Sequence, residues 1–307
     1  GNIVLGNSLV DMYAKCCSFE EAGHVVEENF LHNVVSWSAL IAGYAQDGQS
    51  HEALNCFARM QREGISPNEV TFASILKACG SIGAIDKGKQ IHDDIAKAGL
   101  LERNIVVGTA LVDMYAKCGM LLKAQEVLEE LSIRNVVSWN ALLGGYAQEG
   151  NFHEALNVFE RMQKEGLFPN EITFLGLLNS FAHSGKLNEA KLYYEDMSTI
   201  YGIASQFEHY ACMMVICGCL GCFEKAMSVI KMMPSGDDPS VWLALLGTCR
   251  KWENVKLGRL AFDQIIHLDN TCAAAYVLMA NIFVDAGMQV DANKVEALRL
   301  SLEELRK

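Results

Sequence analysis

The chain has 307 residues with a net charge of −12, 51% hydrophobic residues and four prolines. That composition argues against disorder, and no apolar run reaches the length of a membrane span. Residues 1–206 carry 25 acidic against 15 basic side chains, which weighs against strong sequence-independent binding to polyanions. Eleven cysteines, an odd number, fall mostly inside apolar helical patterns (Cys56, Cys79, Cys212) and read as reduced, core-packing thiols. The chain opens at Gly1 within a pattern, which reads as a fragment of a longer protein.

The text repeats at a long offset. Over the 35 positions from Val34 and from Val136, 24 residues are identical, 102 residues apart. That distance is too long for one supersecondary unit, so smaller units divide it. In chain order they run 3–33, 34–68, 69–104, 105–135, 136–170 and 171–206, followed by 207–238 and a pair of helical segments over 239–307.

Each unit reads as two antiparallel helices. In Val34–Asn68 the first carries Trp37, Leu40, Ile41 and Tyr44 at helical spacing, and Gly48 marks the turn. The second carries Ala53, Leu54, Phe57 and Met60, and ends at Gly64 and Pro67. Neither helix can bury its face alone, so units must stack. The expected fold is all-α, a right-handed α-solenoid of about nine stacked helix–turn–helix repeats. Trp37 and Trp139 recur on the core face and read as packing residues, whereas His51 and His153 recur at the solvent edge of second helices.

Unit lengths cycling through 35, 36 and 31 accompany the phrases VVSWNALLGGYAQEG, EALNVFERMQKEG and SLVDMYAKCG. Together these resemble the pentatricopeptide repeat family, in its land-plant organellar subclass of alternating standard, long and short repeats. The resemblance covers essentially the whole chain. Residues 171–238 resemble the modified long and short repeats that close such arrays, and 239–307 resemble paired E-type motifs, themselves similar to tetratricopeptide repeats. The implied function is recognition of single-stranded RNA at sites of C-to-U editing in chloroplasts or mitochondria. The implied partners are a cytidine deaminase, in trans or on a removed C-terminus, and accessory editing proteins.

In that family each repeat faces one base, read by its fifth and final residues. The resemblance pairs Asn7 with Asn33, Ser38 with Asn68, Thr109 with Asn135 and Asn140 with Asn170. It implies adenine for Ser or Thr with Asn, and a pyrimidine, cytidine before uridine, for Asn with Asn. The second residues Val4, Val35, Val70, Val106, Val137 and Ile172 would sandwich the bases. Ala73 with Asn104, and Leu175 with Gln206, depart from readable pairs, and Ala211 is assigned no base. The asparagines have a plainer reading as helix stops or turn formers, and the second-position residues as packing between repeats.

No cofactor or metal site is expected. Cys217, Cys219 and Cys222 form CGCLGC with no second ligand pair beside it. A deaminase needs His-x-Glu followed by Pro-Cys-x-x-Cys, and no histidine here is followed two positions later by glutamate. The chain therefore reads as non-enzymatic. Two other readings stay open: a protein-interaction solenoid of tetratricopeptide type, whose constant 34-residue period differs from the one here, and RNA processing or protection without editing.

Overall fold

The computed structural model describes residues 3–28, 33–219, 228–229, 239–251 and 254–305. Among these, every regular element is a helix. α1 (Ile3–Lys15), α2 (Phe19–Glu28), α3 (Val34–Gln46), α4 (Ser50–Arg62), α5 (Glu69–Ile82) and α6 (Ile85–Lys97) come first. They are followed by α7 (Ile105–Lys117), α8 (Leu121–Glu130), α9 (Val136–Gln148), α10 (Phe152–Lys164), α11 (Glu171–Ser184) and α12 (Leu187–Thr199). The last are α13 (Phe207–Cys219), α14 (Pro239–Lys251), α15 (Val255–Leu268), α16 (Ala273–Asp285) and α17 (Gln289–Leu305). All but Ser228 and Val229 of the second helix expected within Phe207–Asp238, and Cys222, lie outside the described residues. No described helix is long and apolar enough to cross a membrane.

Two compact units divide the chain: residues 1–146 with 158–167, and residues 147–157 with 168–307. In the first, the leading helices of successive repeats pack on one another, α1 on α3, α3 on α5 and α5 on α7, and each also packs on its own second helix. In the second, α11 packs on α13, α13 on α14 and α14 on α16 in the same way. This is the stacking of an α-solenoid, in which each repeat meets only its neighbours.

The stacking follows from residue pattern. Trp37, Leu40 and Ile41 on α3 are at most 3% exposed, and Ala53, Phe57 and Met60 on α4 are fully buried against them. Full burial of such side chains contributes about 1.5–3 kcal/mol each. Arg59 lies 5.4 Å from the centre of the Trp37 ring, and Arg161 stands at the same distance from Trp139. Both tryptophans are thus core residues capped by a cation.

Close approach of the leading helices requires a missing side chain at one place. A Cβ on Gly43 would stand 2.7 Å from the Ala14 Cβ, and one on Gly145 would stand 2.8 Å from the Ala116 Cβ. The neighbouring Gly144 has open space beside it.

Cys56, Cys79 and Cys212 are buried, and burial pushes the Cys79 thiol up to about 11 and the Cys212 thiol up to about 12. Cys16 and Cys17 differ from that expectation. Both are exposed, at the turn after α1. Cys17 takes a left-handed conformation, φ 58°, where the corresponding turn after α7 has Gly119 at φ 73°.

Candidate nucleic-acid interface

The unit-final asparagines begin the site, and their first role is local. Asn33 Oδ1 accepts from Val35 N at 2.9 Å and Ser36 N at 3.2 Å, capping α3. Asn68 Oδ1 accepts from Thr71 N at 2.9 Å at the start of α5, and Asn135 Oδ1 from Ser138 N at 2.9 Å at the start of α9. Asn170 Oδ1 accepts from Thr173 N at 3.1 Å at the start of α11. Return bonds complete the box, as from Asn135 N to Ser138 Oγ at 3.1 Å and Asn170 N to Thr173 Oγ1 at 3.1 Å.

These caps fix the orientation of each amide, because only its oxygen can accept from a backbone N–H. The oxygen is committed to the protein and the NH₂ group is left facing away from the helix start. For Asn68 and Asn135 the NH₂ has no protein acceptor among the described residues. The asparagines thus start the following helices rather than stop the preceding ones, and the cap uses only the amide oxygen.

A direct bond joins the fifth residue to its asparagine at Asn7 with Asn33 and at Ser38 with Asn68. Asn33 Nδ2 donates to Asn7 Oδ1 at 3.1 Å. Ser38 Oγ donates to Asn68 Oδ1 at 3.0 Å and sits 2.8 Å from Thr71 Oγ1. Thr109 Oγ1 is buried with no hydrogen-bond partner, and no bond joins it to Asn135. Asn140 belongs to the first compact unit and Asn170 to the second.

All six second-position residues, Val4, Val35, Val70, Val106, Val137 and Ile172, are between 51% and 71% exposed. Packing between repeats would bury them. Instead each stands on the first turn of a leading helix with about half or more of its surface exposed. Val35, Val70, Ser38 and Asn68 together line one groove of about 670 Å³ within the first unit.

Some features of this face were not anticipated from sequence. Asn104 is capped in the same way, accepting from Val106 N at 3.0 Å and Val107 N at 3.2 Å, although its fifth-position partner is Ala73. At Gln206 the box is closed by His209, whose Nδ1 accepts from Gln206 N at 3.0 Å. Its Nε2 lies 2.9 Å from Glu171 O, so both ring nitrogens of this buried histidine bond to the backbone. In units 34–68, 69–104, 136–170 and 171–206 the third residue (Ser36, Thr71, Ser138, Thr173) was the available signal, being a hydroxyl three places after the cap. Among the described residues, no group of three or more His, Cys, Asp or Glu side chains is placed to hold a metal ion.

Stacked helix pairs with polar residues repeating on their leading helices define a class of helical-repeat recognition proteins. The chain belongs to the pentatricopeptide repeat family. Profiles described as "PPR repeat family" match residues 32–81 and 134–183, and profiles described as "PPR repeat" match 109–136, 172–200 and 208–237. It is 38% identical over 299 residues to the chloroplastic pentatricopeptide repeat-containing protein CRR2 of Arabidopsis thaliana, covering 97% of this chain and 45% of that protein. It is 37% identical over 281 residues to a mitochondrial pentatricopeptide repeat-containing protein of the same plant, covering 92% of this chain and 50% of the relative. The chain thus spans about half, or less, of these relatives. In fold it is similar to the pentatricopeptide repeat protein PPR10, solved in complex with an 18-nt psaJ RNA element, with a TM-score of 0.75. That likeness covers 99% of this chain and 46% of PPR10, at 19% identity.

Proposed function

We propose that this chain is a sequence-specific, single-stranded RNA-binding module that selects sites for C-to-U editing in a chloroplast or mitochondrial transcript. The observation that supports it best is the groove lined by Val35, Ser38, Asn68 and Val70 together. Two exposed apolar side chains lining one groove suit the two faces of a flat base. The amide and hydroxyl in the same groove supply the edge contacts that distinguish bases, and only an unpaired base offers both its faces and its edge. The recurrence of the same residue types at Asn7 with Asn33, Thr109 with Asn135 and Asn140 with Asn170 extends the reading along the chain.

The family's correspondence assigns, from 5′ to 3′, a pyrimidine, A, any base, A and a pyrimidine to the first five repeats. The repeats 171–206 and 207–238 add weakly read bases. The E-type end, 239–307, positions or recruits the deaminase, which acts in trans or from further sequence. Recognition is then this chain's part in editing, and catalysis belongs to the deaminase. Accessory proteins that grip the array suit its acidic character. The relatives' chloroplastic and mitochondrial names support the compartment.

Selection from a randomised RNA pool at low salt tests the reading. It requires enrichment of A, one unspecified base, then A. Guanine at either adenine position, or equal retention of duplex RNA, would overturn it.

A further inference from the structure

On α1 and α7 the fifth-position residue is followed at four-residue spacing by an aspartate and then a lysine: Asn7, Asp11, Lys15 and Thr109, Asp113, Lys117. Residues spaced by four share a helix face, so the charges stand in line with the fifth-position residues. Each lysine is held by its aspartate, Lys15 Nζ to Asp11 Oδ2 at 2.7 Å and Lys117 Nζ to Asp113 Oδ2 at 2.7 Å.

Asp11 and Lys15 line the same groove as Val35, Ser38, Asn68 and Val70. Asp47 lines it as well. Its oxygens accept from the Cys17 thiol at 3.5 Å and from Gln49 Nε2 at 2.8 Å, both neutral donors that leave its charge in place. The groove thus holds two carboxylates against one ammonium. A polyanion entering it gains little from charge alone.

We propose that Asp11 and Asp113 restrain phosphate attraction by occupying Lys15 and Lys117, so that affinity depends on the bases rather than on the backbone. This rests on the RNA-binding reading above. A phosphate reaching either lysine meets the charge of a carboxylate already in contact with it, and that competition is the same for every sequence. Bases that fit restore the lost affinity, and bases that do not fit cannot. The pairs are not needed to form the helix, because α3 and α9 carry Ala42 with Gln46 and Gly144 with Gln148 at the corresponding positions. Lys77 on α5 occupies the position of Asp11 and Asp113 and has no carboxylate partner among the described residues.

The test is the full chain with Asp11→Asn and Asp113→Asn together, titrated with a matched RNA and a scrambled RNA of equal length at several salt concentrations. Thermal unfolding checks that the fold is kept. Affinity for the scrambled and the matched RNA should rise by the same factor, about two- to fivefold for each freed lysine, so that the scrambled RNA is retained at salt concentrations where the wild-type chain releases it. The slope of log affinity against log salt should steepen by roughly 0.7 for each phosphate newly contacted. Adding Lys15→Gln and Lys117→Gln should erase the gain. If the pairs serve only the helices, the Asn variants will unfold slightly earlier, leave both affinities and the slope unchanged, and sink this proposal alone. A wild-type chain that binds neither RNA at low salt sinks the RNA-binding reading, and this proposal with it.

Discussion

Ser38 Oγ donates to Asn68 Oδ1 across 3.0 Å, tying the fifth residue of a repeat to its last. Asn68 Oδ1 also accepts from Thr71 N at 2.9 Å, so the amide is held from both sides and its NH₂ is the group left to present. An NH₂ donor suits the N1 acceptor on the pairing edge of adenine and conflicts with the N1–H donor of guanine.

Asn68→Asp should therefore move preference at one base from adenine towards guanine. The aspartate keeps the cap with one oxygen and presents the other as an acceptor. Discrimination should change by about 1–3 kcal/mol, while stability stays within about 0.5 kcal/mol because both residues cap well. Binding measured on four RNAs that differ only at that base checks it. Equal weakening of all four would mean that Ser38 and Asn68 do not read a base.

Val35 and Val70 are 51% and 54% exposed, so truncating either should cost the fold little. Val35→Ala and Val70→Ala should each weaken RNA binding by on the order of 1 kcal/mol, whatever base is present, because a face contact carries no edge information. A loss that depends on base identity, or a lowered Tm with unchanged binding, would contradict the sandwich role.

Much of this arrangement was legible in the sequence, for definite physical reasons. Helical periodicity at Trp37, Leu40 and Ile41 and glycines such as Gly48 and Gly150 at the turns suffice to place helices, because both act within a few residues. What the Asn68 oxygen does is also local, since Thr71 lies three residues on, yet the sequence suggested a helix stop or turn former where the structure has a helix cap. The geometry shows that the cap takes the oxygen, which leaves the NH₂ for the proposed base contact. The ion pairs of Lys15 and Lys117 were written in the four-residue spacing and went unread, since such spacing usually marks a solvated helix face. The exposure of Val106 or Ile172 depends on which neighbour stacks where, and a single repeat does not carry that information.

Gly144 and Gly145 give a paired test of the stacking. Gly144→Ala meets nothing and should stabilise the helix by up to about 1 kcal/mol. At Gly145 a Cβ would press on the Leu121 Cδ2 at 2.6 Å and on Ala116, and Gly145→Ala should destabilise by about 1–3 kcal/mol. Denaturant unfolding of the two variants should give opposite signs, and equal signs would place the close approach elsewhere.

His92 Nδ1 lies 2.9 Å from Tyr115 Oη between α6 and α7, and its pKa is lowered, first by burial and then by the charge of Lys123. The folded chain thus binds a proton at His92 less readily than the unfolded chain does. This contribution is present above the ordinary histidine value of 6.5 and is lost as pH falls through and below it. His92→Gln should make stability less sensitive to pH in that range. A pH series of unfolding midpoints with the same slope in both proteins would remove His92 as the cause.

Cys17 is the described non-glycine residue with a positive φ, and its position corresponds to Gly119 in the later short repeat. A Cβ in the left-handed region crowds the following carbonyl and costs about 1–2 kcal/mol, partly offset in a comparison with glycine by the greater freedom glycine has when unfolded. The thiol offers little in return: its bond to Asp47 is exposed and 3.5 Å long. Cys17→Gly should therefore stabilise the first repeat by about 1 kcal/mol, and the converse change, Gly119→Ala at φ 73°, should destabilise by a similar amount. Unfolding curves for both variants measure this directly. If Cys17→Gly lowers the midpoint, the thiol–carboxylate contact holds the turn and the strain argument for Cys17 is wrong.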